Sequence, residues 1–222
     1  MPRPPDCGRA RREKVCEPMD FSLTDDQQYL RDTFARFCDE RIKPRAEAID
    51  EAGEFPHELF AELAKLGLFG LRYPESLGGV GFGLLPLCLA VSEIARGSLS
   101  LAAVASMQSV MGTHFLYTYG SKEIHEALLK PAIRGEKIGT ICITEPDAGS
   151  DLSSISTSAE KTPEGYRLNG QKTWITSAPV ADFFTVFARA GEDRRLTIFL
   201  VEKHFPGLKV GRSIAKMGCR AS

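Results

Sequence analysis

An α+β protein is what this sequence predicts, an all-helical N-terminal bundle followed by a β-domain, and three observations carry that reading. From Thr24 to Gly120 the apolar residues recur at helical spacing between capping signals. Within that part, Gly97 to Ser121 runs without a single Lys, Arg, Asp or Glu, as the central helix of a bundle would. From Lys137 onward the spacing changes to strand-like alternation, broken by glycine, proline and charged turns. The expected layout is a disordered extension over residues 1–18, a helical domain over 19–138 and a β-domain over 139–222.

Taken in order, Met1 to Pro18 is rich in proline and arginine and nearly free of apolar side chains, so it lacks the apolar core of a signal peptide and reads as disordered. Thr24-Asp-Asp-Gln27 is a capping box, after which Leu30, Phe34 and Phe37 form one apolar stripe that Pro44 is expected to end. A second helix is expected to start near Pro56 and to bury Leu59, Leu63 and Leu66 before Gly67. Tyr73 to Gly83 is glycine-rich but lacks the Gly-Lys-Ser/Thr ending of a phosphate loop, and reads as a structural connection. Gly97 to Ser121 has the length of a membrane span, yet Ser98, Ser100, Ser106, Gln108, Ser109, Thr113 and His114 are too many polar groups for hydrocarbon. Ser121 can cap one more helix, with Ile124 and Leu128 buried and Gly135 closing it.

Composition narrows the function classes. A charged fraction of 26%, a net charge of -1 and no long basic tract make neither nucleic acid nor a membrane an expected partner. The six cysteines are scattered without a Cys-x-x-Cys pair, and the four histidines have no ligand-like spacing, so no metal site is expected. Free thiols in a reducing compartment follow, the bacterial cytoplasm or the mitochondrial matrix.

The most informative stretch is Ile141-Cys-Ile-Thr-Glu-Pro-Asp-Ala-Gly-Ser-Asp151. It opens as an alternating strand and breaks at Pro146 into small and acidic residues, where bare N–H groups and a hydroxyl can approach an anion. Further on, Tyr166 to Thr176 reads as a strand, an Asn169-Gly170 turn and a second strand Lys172–Thr176 carrying the only tryptophan, Trp174. Later strands are expected at Asp182–Arg189, Leu196–Glu202 and Leu208–Arg212. The two segments, Thr-Glu-Pro-x-Ala-Gly-Ser-Asp and Asn-Gly-x-Lys-x-Trp-Ile-Thr, resemble in order and spacing the flavin-binding segments of the acyl-CoA dehydrogenase family.

That resemblance implies that the β-segment is an antiparallel β-barrel domain, truncated at Ser222, and that FAD lies along it. It implies contacts from Ile141, Ile143 and Thr144 to the flavin's pyrimidine side, and from Gly149 and Ser150 to its diphosphate, with Ser150 also reaching the CoA substrate. Trp174 and Ile175 would lie over the isoalloxazine, and the Thr176 hydroxyl would sit near N5. Met107, Val110 and Met111 become candidates for the acyl-pocket wall, with His114 a satisfied core or pocket-edge residue. The implied reaction is α,β-dehydrogenation of an acyl-CoA to the trans-2-enoyl-CoA, with an electron-transferring flavoprotein as electron acceptor and a homotetramer as the assembly. No catalytic base is assigned: the family's base lies in a C-terminal helical domain, and the chain is expected to be a fragment without it, inactive alone. A same-fold oxidase or monooxygenase, or a non-catalytic FAD- or partner-binding piece, are the alternatives. The absence of Lys and Arg from Gly97 to Ser121 predicts an acyl group without a terminal carboxylate.

Overall fold

The computed structural model describes residues 20–222, so the extension expected over residues 1–18 lies outside the described residues. Helix α1, Asp25–Phe37, begins as the sequence dictates: the Thr24 hydroxyl accepts from Gln27 N–H and the Gln27 side chain accepts from Thr24 N–H. Pro44 does not end the helical path. The chain widens into a π-turn, Cys38–Ile42, tightens into a 3₁₀ turn, Lys43–Arg45, and continues as α2, Ala46–Ala52. A proline at the second position of that 3₁₀ turn forfeits no i→i−4 bond, because the backbone has already changed its pattern there.

Helix α3, His57–Lys65, buries Leu59, Phe60 and Leu63, while Leu66 falls on the far side and is exposed. The glycine-rich connection then folds back on itself, with Gly79 so close to Tyr73 that a Cβ would sit 2.1 Å from the Tyr73 carbonyl oxygen. Helix α4, Leu84–Ala95, leads to the neutral helix, built as α5, Leu99–Ser106, a π-turn, Met107–Met111, and α6, Gly112–Tyr119. By length and composition this 21-residue helix could cross a bilayer, but Leu101, Ala102, Val104 and Ala105 are buried against α1, α3 and α4. Ser121 caps α7, Lys122–Ile124, which runs through a further π-turn, His125–Leu129, into α8, Lys130–Ile133.

Gln108 joins this helical layer to the sheet. Buried within the π-turn, its amide donates to the Ala132 and Lys137 carbonyls (2.9 and 2.8 Å), and its oxygen accepts from Gly139 N–H at 3.0 Å. Gly112 makes the close approach possible, since a Cβ there would lie 2.3 Å from the Gly139 carbonyl oxygen.

Strands β1, Gly139–Cys142, β2, Ser158–Thr162, β3, Gly165–Asn169, β4, Phe183–Ala190, and β5, Arg195–Glu202, form one five-stranded sheet. The α+β class holds, but the sheet among the described residues is mixed and is not closed into a barrel. β1 and β2 both run parallel to β4, in the registers Gly139↔Phe183 and Ser158↔Arg189, and only β2–β3 and β4–β5 are antiparallel. Two expected strands, Lys172–Thr176 and Leu208–Arg212, join no ladder. The backbone of the first turns left-handed at Trp174 (φ 59°), which breaks strand geometry.

Strand β2 is a polar strand between β4 and β3, with no apolar alternation to announce it. It pairs with β3 around Pro163-Glu164, so the hairpin turn is there and not at Asn169-Gly170. Gly170 serves a different need: at φ 157° it passes so near Thr157 that a Cβ would lie 2.4 Å from the hydroxyl. One sheet face presents Phe183 to Tyr73, Leu116 and Leu129 of the helical layer; the other packs Cys142 and Phe184 against Ile175, Ala178 and Leu208.

Candidate functional site

The two sequence motifs come together at the end of β1. Thr144 carbonyl accepts from Thr173 N–H at 2.9 Å, and the Thr140 hydroxyl donates to the Thr176 carbonyl at 2.7 Å, so Thr140–Thr144 and Thr173–Thr176 run side by side in opposite directions. Lys172 Nζ closes the pair by donating to the Ile143 carbonyl at 2.9 Å.

Beneath this junction lies a buried carboxylate. Glu145 takes Lys172 Nζ at 2.7 Å, Ser156 N–H and Oγ at 2.7 and 2.6 Å, Thr157 N–H at 3.0 Å, and the Thr157 hydroxyl. Burial pushes its carboxyl up, but the hydrogen bonds from Lys172, Ser156 and Thr157 outweigh that and hold it well below the usual carboxylate range. Glu145 N–H and carbonyl also pair with the carbonyl and N–H of Ala148, which shapes the turn after Pro146. Downstream, Asp151 accepts from Ser153 N–H and from the Ser153 and Ser154 hydroxyls, which lower its carboxyl below the ordinary range. Arg189 Nη2 donates to the Leu152 and Ser153 carbonyls at 3.1 and 2.8 Å, tying the turn to the end of β4.

Of the eight residues expected at the site, Ile141, Ile143 and Thr144 are half-buried along and beyond β1, and Gly149 and Ser150 are exposed in the turn. Trp174 is 62% exposed, with Ile175 and Thr176 half-buried behind it. Trp174, Ile175 and Thr176 line a cleft of 1670 Å³ between the sheet and residues 205–222, while the other five lie outside that cleft. The hydrogen bonds just described join Thr144 to the Trp174 segment; the Gly149–Ser150 turn has no direct bond to it.

The arrangement suits a flat heterocycle with an anionic tail. A large indole is held out to solvent on a left-handed backbone, which no core-packing role explains. The hydroxyls of Thr144, Ser150 and Thr176 have no hydrogen-bond partner among the described residues, and a Cβ at Gly149 would meet nothing within 4 Å. Cys142, in the same strand, is only packing: burial pushes its thiol up to about 12.

Sequence reasoning left Glu145 without a role and gave none to Lys172, although both stand in the quoted motifs. Their pairing is long-range, and the signal was an acid and a lysine in otherwise apolar or hydroxyl-bearing runs. The helix Leu99–Tyr119 carries no Lys or Arg of its own, and near its outer end Arg72 Nη2 lies 3.1 Å from His114 Nδ1. His114 is exposed, not a core residue, and of the expected wall residues Met107 is buried, Val110 half-buried and Met111 exposed.

Residues 24–136 match the model of the acyl-CoA dehydrogenase N-terminal domain, and residues 140–222 that of the acyl-CoA dehydrogenase middle domain. The benzylmalonyl-CoA dehydrogenase of Aromatoleum aromaticum is 65% identical over 200 residues, covering 90% of this chain and 53% of that protein. A chain from a structural study of the electron transferring flavoprotein of Acidaminococcus fermentans superposes with a TM-score of 0.87 at 32% identity, over 91% of this chain and 54% of that one. A glutaryl-CoA dehydrogenase from Mycobacterium smegmatis in complex with FADH2 gives 0.85 at 32% identity, over 90% of this chain and 51% of that one. The chain thus spans about half the length of the relatives it matches. With a helical layer and a β-sheet matched over nearly all of the described residues, the chain belongs to the acyl-CoA dehydrogenase family.

Proposed function

We propose that the complete protein is an FAD-dependent dehydrogenase that converts an acyl-CoA thioester to the trans-2-enoyl-CoA, and that its acyl group is aryl-substituted and carries a second carboxylate. The observation that carries the reaction class is the junction of the two motifs, Thr140–Thr144 against Thr173–Thr176, with Glu145 and Lys172 locking it from below. The 65% identity to a benzylmalonyl-CoA dehydrogenase supports the acyl class. Bound FAD would supply the hydride acceptor.

The chain's own residues have separable tasks. The Trp174 indole offers a flat apolar face for the isoalloxazine, with Ile175 behind it. The hydroxyls of Thr144 and Thr176 are free to donate at the ring edge, and the side chains of Ile141 and Ile143 wall its pyrimidine end. Gly149 and Ser150 offer bare backbone N–H and a hydroxyl to phosphate oxygens, of the cofactor or of CoA. Glu145 orients and does not take the proton: five donors already hold its carboxylate, and a base must have a free lone pair at the α-carbon. The proton-accepting carboxylate is therefore sought in the half of its relatives' length that the chain does not span. An electron-transferring flavoprotein is the proposed electron acceptor, and a homotetramer the proposed assembly.

The test is anaerobic mixing of the full-length holoprotein with benzylmalonyl-CoA, 3-phenylpropanoyl-CoA and butyryl-CoA while the flavin band is followed. Bleaching by an aryl acyl-CoA, with slow reoxidation in air and fast reoxidation by the flavoprotein acceptor, is the expected result. No bleaching by any acyl-CoA would overturn the reaction class, and fast reoxidation by air would favour an oxidase.

A further inference from the structure

We infer that the buried Glu145–Lys172 pair sets how readily the flavin accepts hydride, because its positive end faces the cleft and its negative end lies behind; this rests on the flavin placement proposed above. Lys172 lines the cleft together with Trp174, Ile175 and Thr176, while Glu145 does not reach it. Thr157, which also lines the cleft, donates to the same carboxylate. The two charges are 2.7 Å apart on side chains 10% and 3% exposed, so water screens neither of them well.

The orientation is fixed at both ends. Lys172 Nζ is held between the Ile143 carbonyl and the Glu145 carboxylate, at 2.9 and 2.7 Å. The carboxylate is held in turn by the N–H and hydroxyl groups of Ser156 and Thr157, so it does not turn out toward the cleft. Lys209, Arg212 and Arg220 also line the cleft, but they are exposed, and water and salt screen them.

Hydride transfer carries two electrons and one proton, and so brings one net negative charge into the cleft. A buried cation in the cleft wall favours that charge, and the carboxylate behind it opposes the charge over a greater distance. The pair stands at the motif junction itself: Lys172 is two residues from Trp174, and its Nζ bonds the carbonyl of Ile143, next to Thr144. Glu145 and Lys172 bias the equilibrium through their charge; the acyl-CoA remains the hydride donor, and neither side chain takes up the proton.

The test is the flavin reduction potential of the full-length holoprotein, measured anaerobically against a redox dye at neutral pH. Lys172→Gln leaves the buried acid unpaired and is expected to lower the reduction equilibrium constant about tenfold, about 30 mV for a two-electron couple. Glu145→Gln leaves the cation alone and is expected to raise it by a similar factor. A role in packing alone would move both variants the same way, since each breaks the same pair. If Lys172→Gln does not fold, the same substitution made in the Glu145→Gln protein, where no acid is left unpaired, should lower the potential instead. Single variants that do not shift in opposite directions, or removal of Lys172 that does not lower the potential in either background, overturn the role of the pair. Trp174→Gly, measured alongside, checks the placement of the flavin. Unchanged FAD affinity and potential there would overturn the placement and the role of the pair together. Weakened FAD binding in Trp174→Gly, with no split between the charge variants, overturns the role of the pair alone.

Discussion

Replacing Lys172 with Met removes the one cation that Glu145 holds, and its cost follows from burial. The two side chains are 10% and 3% exposed, so breaking the pair leaves a carboxylate that water cannot reach. Removing one partner of such a pair costs about 3–5 kcal/mol. Ser156 and Thr157 still donate to the carboxylate, which favours the lower end, while the lost bond to the Ile143 carbonyl adds about 1 kcal/mol. We expect a loss of about 4 kcal/mol near neutral pH, a large share of a typical domain's ~5–15 kcal/mol.

The pH dependence has a definite sign. The folded carboxyl of Glu145 lies below its unfolded value of 4.5, so its stabilisation is present above that value and is lost as pH falls through the folded one. Lys172→Met raises the folded value, so the variant lacks that stabilisation at neutral pH. The gap between wild type and variant should therefore narrow as pH falls below 4.5. Urea unfolding of both proteins near neutrality and in the acid range measures it. A gap below about 1 kcal/mol at neutrality, or one that does not change with pH, would refute the reasoning.

Trp174→Gly should relieve the left-handed backbone by about 1 kcal/mol and raise the melting temperature, while weakening FAD by about tenfold through loss of the stacking face. A melting curve and a flavin titration separate the two effects, and tighter FAD binding would contradict the platform role. Thr176→Val should keep FAD bound and slow its reduction by about tenfold, seen by stopped flow. Gln108→Leu strands the Ala132 and Lys137 carbonyls and the Gly139 N–H, and should destabilise by about 3 kcal/mol or more on urea unfolding.

Local chemistry was legible from the residues. The Thr24 capping box, the cap at Ser121, the buried faces of α1 and α3, and strands β3, β4 and β5 follow from short-range patterns. What failed was decided by a local change of winding in one place and by partners distant in the chain elsewhere. Pro44 stayed within a continuous helical path because a π-turn had already shifted the bonding pattern. Asn169-Gly170 has hairpin composition, but β3 had found its partner on the other side, in a strand whose polar sequence hid it. The motif residues stand out in the sequence but the framework that joins them does not, since a Glu and a Lys at positions 145 and 172 meet only after the sheet has formed.

The π-turn Met107–Met111 has a consequence for how this surface can change through insertion and deletion. An α-helix advances about 100° per residue, so each wider turn carries one residue that rotates everything after it about the axis. Deleting a single residue there would restore regular winding and leave α5 in place. It would also swing the outer half of the helix by about 100°, carrying His114 away from Arg72 and Phe115 away from Phe187. The extra residue acts as a phase setting, and one codon is enough to turn a different set of side chains toward the sheet.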